Sequence, residues 1–128
     1  LTNSAVADAS IVLALVYGEE RAEQVAAQSE YFLLSAVNAA EAQSVLVRSG
    51  VPGEVAWAAV RNAVAEVIPF DGQQARIAGE LIIKTKRLGL SLGDRSCIAL
   101  GIARGLPVFT TDEAWSRLKT GVPVHVIR

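Results

Sequence analysis

The residues best suited to chemistry in this 128-residue chain are four acids, Asp8, Glu41, Asp94 and Asp112, each standing where one element of structure gives way to the next. Asp8 closes Ser4-Ala-Val-Ala, a short run that reads as a strand, and Asp112 follows Thr110 and Thr111 directly off the apolar run Pro107-Val-Phe. Glu41 lies within a helical pattern that starts after Ser35, and Ser91-Leu-Gly-Asp94 has the spacing of a capping box. Singly, each acid has an ordinary explanation. Asp8 or its neighbour Ser10 would cap a helix, Asp94 would reach back to its own first turn, and Asp112 would be welcome at a helix start on dipole grounds. The joint pattern implies more. Asp8, Glu41 and Asp112 fall at or beyond the carboxyl ends of predicted strands, and parallel strands deliver those ends to the sheet edge where ligands of open α/β folds bind. Gathered carboxylates repel one another and raise each other's pKa unless a cation neutralises them. An all-oxygen site suits Mg²⁺ or Mn²⁺, and such a site supports phosphodiester hydrolysis by activating water and offsetting charge on a phosphoryl oxygen; the number of ions stays open.

The elements that must position these acids alternate along the chain. Predicted strands cover Ser4 to Asp8, Tyr31 to Leu34, Val67-Ile68, Pro107 to Thr110 and Val124 to Ile127. Predicted helices cover Ser10 to Tyr17, a short stretch to about Gln28, Val37 to Arg48, Glu54 to Glu66, Asp71 to Arg87, a segment from Leu90 to about Arg104, and Asp112 to Leu118. Helical spacing groups Glu41 with Val37, Ala40, Ser44 and Val45 on a stripe expected to face the sheet, and Asp94 with Ile98 and Ile102 toward the core. Such alternation predicts an α/β protein with a central, mostly parallel sheet covered by helices on both faces. No repeat, linker or low-complexity tract divides the chain, so residues 1–128 are expected to form a single domain.

Composition narrows the function. Apolar residues make up 52%, yet the longest unbroken apolar run, Ile11 to Tyr17, falls far short of the ~18 residues a membrane helix needs. A soluble protein with no membrane partner is expected, with some oily surface kept for another chain. The net charge of −1 argues against a broad phosphate-binding face, so contact with nucleic acid must be local. A single cysteine, Cys97, permits no internal disulfide and fits a reducing, cytoplasmic setting; no signal-peptide pattern is present.

Four short motifs, in order and spacing, resemble the PIN-domain ribonucleases, and most of all the VapC toxins of bacterial type II toxin–antitoxin systems. They are Val6-Ala-Asp8-Ala-Ser10, Ser35-Ala-Val-Asn-Ala-Ala-Glu41, Leu90-Ser-Leu-Gly-Asp94-Arg-Ser-Cys97-Ile-Ala-Leu100 and Leu106-Pro-Val-Phe-Thr-Thr-Asp112-Glu-Ala-Trp115. The resemblance implies a three-layer α/β/α PIN-like fold and a Mg²⁺- or Mn²⁺-dependent endoribonuclease. It further implies a VapB-type antitoxin partner, a homodimer, and an RNA substrate such as a tRNA or ribosomal loop. Asp8, Glu41, Asp94 and Asp112 match the family's four acids, and Thr110 its hydroxyl residue before the last acid. Where some members carry a further aspartate after that acid, this chain has Glu113, Ser116 and Arg117.

Other residues carry weaker claims. Ser10 and Arg95 are candidates for positioning substrate, although an ion pair with a neighbouring acid is the more ordinary place for Arg95. Lys84, Lys86 and Arg87 could meet phosphates but read better as a solvated helix end. Cys97 and Trp115 read as packing, Trp57 as a core or interface anchor, and His125 as a structural or surface histidine. Two rivals stand beside the nuclease: a response-regulator receiver domain, which would need paired acids after its first strand, and an inactive PIN fold serving only to bind.

Overall fold

The computed structural model describes residues 4–128, so the first three residues of the expected domain lie outside the described residues. Five strands form its sheet: β1 (Ser4–Ala7), β2 (Tyr31–Ser35), β3 (Glu66–Ile68), β4 (Val108–Thr110) and β5 (Val124–Val126). Their order is β3-β2-β1-β4-β5, and every pairing is parallel. The chain steps outward from β1 to β3, then returns to lay β4 against the free side of β1. Direction therefore reverses between β1 and β4, which is where a crevice opens at the carboxyl ends of the strands. A receiver domain follows the order 2-1-3-4-5 instead, so that rival fails on topology.

Helices cover both faces, and the period-two alternation of strands splits the core accordingly. On β1, Ala5 and Ala7 join one cluster while Val6 joins the other. The first cluster is completed by α1 (Ala9–Tyr17), α2 (Ala22–Gln28), α3 (Ala36–Arg48) and α4 (Gly53–Ala63), through Ile11, Val25, Leu46 and Val60 among others. The second is covered by α5 (Gly72–Glu80) and α7 (Leu92–Arg104) and includes Leu81, Ile98, Leu100 and Trp115; the short α6 (Ile82–Thr85) follows Leu81. The result is a three-layer α/β/α arrangement with a fully parallel sheet.

Several predicted boundaries move, each for a local reason. The helix expected to reach Glu66 stops at Ala63, because Val64 turns extended and the Ala65 N–H joins the sheet by donating to Phe32 O at 2.9 Å. The helix expected from Asp71 to Arg87 breaks at Leu81 and ends in a 3-10 turn, Lys86–Leu88. Thr85 is fully buried and donates its hydroxyl back to Leu81 O at 2.9 Å, a bond that bends and tightens a helix. Gly89 then closes the segment at φ +65°, a left-handed conformation that favours glycine. Asp112 to Leu118 forms a 3-10 turn over Glu113–Arg117 rather than an α-helix. No helix among the described residues is long and apolar enough to cross a membrane.

At Gly101, α7 has no room for a side chain against β4 and the turn before it. A Cβ there would stand 2.5 Å from Val108 Cγ1 and 3.0 Å from Leu106 O. Gly101→Ala should therefore destabilise the protein by about 1–3 kcal/mol through overpacking, despite alanine's better helix propensity. Urea unfolding measures this, and a variant as stable as the parent would show that the helix has room to shift.

Candidate active site

Asp8 sits where β1 ends and α1 begins, and the switch in strand order puts it beside the end of β4. Its backbone N–H donates to Phe109 O at 3.1 Å, which locks it to that strand. The side chain is 6% exposed and takes the helix cap, with Oδ1 accepting from Ile11 N–H at 3.0 Å. Two hydroxyls complete its surroundings: Ser10 donates to Oδ1 and Thr110 to Oδ2, each at 2.5 Å. Those hydroxyls accept in turn from the turn after β4, Ser10 Oγ from Thr111 N–H at 3.0 Å and Thr110 Oγ1 from Asp112 N–H at 3.0 Å. Both Asp8 oxygens are thus oriented by hydroxyls that are themselves each fixed by one backbone N–H. Burial pushes the Asp8 carboxyl up from 3.8 to about 6; its hydrogen bonds to Ser10, Thr110 and Ile11 oppose the rise, and the charge of Asp94 adds to it.

Glu41 reaches the same neighbourhood by a route the helical stripe did not indicate. The buried face of α3 is Asn38, Ala39, Ala42 and Leu46, and Glu41 itself is exposed. The alanine-rich sequence blurs the stripe, and the helix is rotated from its expected setting. Its carboxylate nevertheless lies against the first turn of α7, because Asn38 Nδ2 donates both to Glu41 Oε1 at 2.7 Å and to Gly93 O at 2.9 Å. Asp94 is half-buried beside it and completes a capping box, its carboxylate accepting from Ser91 N–H at 2.9 Å while Ser91 Oγ accepts from Asp94 N–H at 3.1 Å. Cys97, one turn further along, is fully buried, and its thiol is raised first by burial, then by the charges of Asp8, Asp94 and Glu41. Three carboxylates distant in sequence therefore act on one buried point.

Asp112 stands apart from that group. It is exposed and caps the 3-10 turn by accepting from Ala114 N–H at 3.0 Å. Its link to the site is its backbone N–H, which orients Thr110. Arg95 turns away from the acids and donates Nη1 to Ala78 O at 2.9 Å, tying α7 to α5. Thr110 and Ser10 touch Asp8 itself. His125 stacks on Phe109 with ring centroids 4.7 Å apart, Trp115 is buried, and Trp57 is 39% exposed. Asn38 and Gly93 carry site contacts that sequence spacing did not reveal; an asparagine on an otherwise alanine-rich buried face is the signal that was present.

With this geometry in view, the match of the sequence to a family model is decisive: it covers residues 5–121 and describes the PIN domain. The chain belongs to the PIN-domain family. Solved structures similar to this PIN domain include VapBC2 from Rickettsia felis bound to a fragment of its promoter DNA. That protein is 16% identical, with 98% of this chain and 99% of that one covered, at a TM-score of 0.74. Mycobacterium tuberculosis VapC20, a sarcin–ricin-loop-cleaving toxin, is 22% identical over 87% of this chain and 92% of that one, at a TM-score of 0.71. VapBC-5 from Mycobacterium tuberculosis, of the VapBC family of toxin–antitoxin systems, is 25% identical over 98% of both chains, at a TM-score of 0.66. No curated protein matches the sequence significantly.

The donor chemistry of the PIN site fits a hard divalent cation held largely through water. As the side chains stand, no three or more His, Cys, Asp or Glu among the described residues are gathered closely enough to hold a metal ion directly. Asp94 and Asp112 spend an oxygen each on helix caps. In favour of a cation, Asp8 is a buried carboxylate, and the ion pairs found among the described residues involve none of the four acids. Mg²⁺ keeps several waters and uses one or two carboxylates directly, which such an open arrangement permits.

A stability consequence follows from the raised Asp8 pKa. The unfolded chain ionises Asp8 near 3.8 and the folded chain near 6. Between these values the folded state binds more protons, so stability falls as pH rises, by up to about 3 kcal/mol in total by pH 7. In the presence of a chelator, wild-type stability should decline from pH 4 to 7 relative to Asp8→Asn, measured by urea unfolding. Parallel profiles for the two proteins would show that the Asp8 carboxylate bears no such penalty.

Proposed function

We propose that this PIN domain is an endoribonuclease toxin of the VapC kind, which hydrolyses RNA phosphodiester bonds with Mg²⁺ or Mn²⁺ and is neutralised by a VapB-type antitoxin. The observation that carries this reading is Asp8: a buried carboxylate at the switch point of a parallel sheet, near Glu41 and Asp94, held by neutral donors alone. Asp8, Asp94 and Glu41 would hold the ion, directly or through water, with Asp112 at the margin. When bound, a divalent cation supplies Lewis acidity that offsets charge developing on a phosphoryl oxygen.

The chain's own residues do the rest. Ser10 and Thr110 keep both Asp8 oxygens oriented, so little reorganisation is needed when substrate arrives. The Asp94 capping box fixes the start of α7. An uncompensated acidic cluster repels a polyanion, and the same cluster makes RNA binding depend on prior cation loading.

The substrate in this reading is a single-stranded or loop segment of RNA, such as a tRNA or ribosomal loop; the similarity to VapC20, a sarcin–ricin-loop-cleaving toxin, supports it. The partners are the antitoxin and a second copy of the chain, supported by exposed apolar side chains at Val47, Val55, Trp57 and Ile83. The buried, unpaired Cys97 suits a reducing cytoplasm.

Purified protein should cleave RNA with Mg²⁺ or Mn²⁺ and lose the activity in chelator. Asp8→Asn and Asp94→Asn, which keep size while removing charge, should each lower the rate by about a hundredfold or more, the several kcal/mol that metal-assisted charge stabilisation supplies. Gel assays on a defined RNA measure it. Cleavage undiminished in both variants, or indifferent to metal, would contradict this assignment.

A further inference from the structure

Asn38 lies in the first turn of α3 and is 1% exposed. Its two amide hydrogens are both used, one within α3 on Glu41 Oε1 at 2.7 Å and one across to α7 on Gly93 O at 2.9 Å. That orientation leaves its Oδ1 buried with no partner. A buried, unpaired acceptor costs stability, and an apolar side chain of similar size would avoid the cost. Packing therefore does not account for an asparagine here.

Gly93 supplies the other half of the arrangement. A Cβ at this position would fall 2.4 Å from Glu41 Oε1, 2.5 Å from Cδ and 2.6 Å from Oε2. The carboxylate of Glu41 thus occupies the volume that any side chain at residue 93 would need. Glycine is a poorer helix former than alanine, and what it provides in α7 is this space.

We infer that Asn38 and Gly93 are a positioning pair that holds the Glu41 carboxylate against the first turn of α7, next to Asp94, and so sets the divalent-cation affinity of the acid site. The inference rests on the metal-dependent reading proposed above. Glu41 needs such a device because it is exposed, rotamer-rich and repelled by the acids it must join. A tethering Lys or Arg would do the same work but would cancel the charge that attracts the cation. The amide of Asn38 orients the carboxylate and leaves its charge available.

The test uses Mn²⁺ alone as probe, with the full chain, reading free Mn²⁺ by electron paramagnetic resonance and melting temperature in chelator. Gly93→Ala should bind Mn²⁺ roughly tenfold more weakly or worse, the usual effect of losing a partner that orients a ligand. Its metal-free melting temperature should stay close to that of wild type, since alanine's preference for the helix offsets the Asn38 donor left unpaired. Asn38→Leu should weaken Mn²⁺ binding comparably. In a Glu41→Gln background, Gly93→Ala should cost nothing further, because the group it acts through is gone. Unchanged Mn²⁺ affinity in Gly93→Ala, or an equal loss with and without Glu41, overturns the positioning role. Wild-type protein that binds Mn²⁺ no better than Asp8→Asn overturns the metal-dependent reading itself, and the inference with it.

Discussion

Asp8 carries a carboxylate into the crevice between β1 and β4, and much of the fold can be read as what that placement requires. The return of β4 to the free side of β1 brings Thr110 within 2.5 Å of one oxygen. The immediate passage from β1 into α1 brings Ser10 and the Ile11 N–H to the other. Burial still outweighs these donors and leaves the group near pKa 6. A cost of that kind is retained at functional sites, where a local penalty is part of what the site does.

Neutral tethering is the common feature of the four acids. Asp8 is held by hydroxyls and a backbone N–H, Glu41 by an amide, Asp94 by its cap and Asp112 by the Ala114 N–H. Three of the other acids are ion-paired instead. Glu113, directly after Asp112, is paired with Arg128 at 2.5 Å; Glu19 is paired with Arg21 and Glu80 with Arg76. The molecule thus neutralises these peripheral carboxylates and leaves the central ones charged but fixed. Fixed charge at the carboxyl ends of a parallel sheet, paired with no Lys or Arg among the described residues, is what the proposed divalent-cation site would draw on.

Much of this was legible in the sequence because β1 and β2 are short, mostly apolar runs that pass at once into a capping residue, and later helices start on one as well. Asp8, Ser35, Asp71 and Ser91 stand at helix starts, and the side chains of all four cap the helix that follows. Strand order was not legible, since alternation of strand and helix suits both this topology and that of a receiver domain. Nor was the face of α3, where Ala36, Ala39, Ala40 and Ala42 provide almost no contrast between inside and outside. The tie between Asn38 and Gly93 spans 55 residues and exists only once α3 and α7 are packed. The break at Leu81, whose carbonyl accepts the Thr85 hydroxyl, is permitted but not demanded by these residue types.

The central claim is that Asp8, Glu41 and Asp94 form one divalent-cation site at the β1–β4 crevice. Anomalous diffraction from crystals equilibrated with millimolar Mn²⁺ tests it most directly, because the scattering locates the ion without reference to activity. The account predicts a peak between Asp8 and Asp94, on the side reached by Glu41, that disappears in Asp8→Asn. No ordered Mn²⁺ in that crevice, or one bound only among acids elsewhere on the surface, would contradict it.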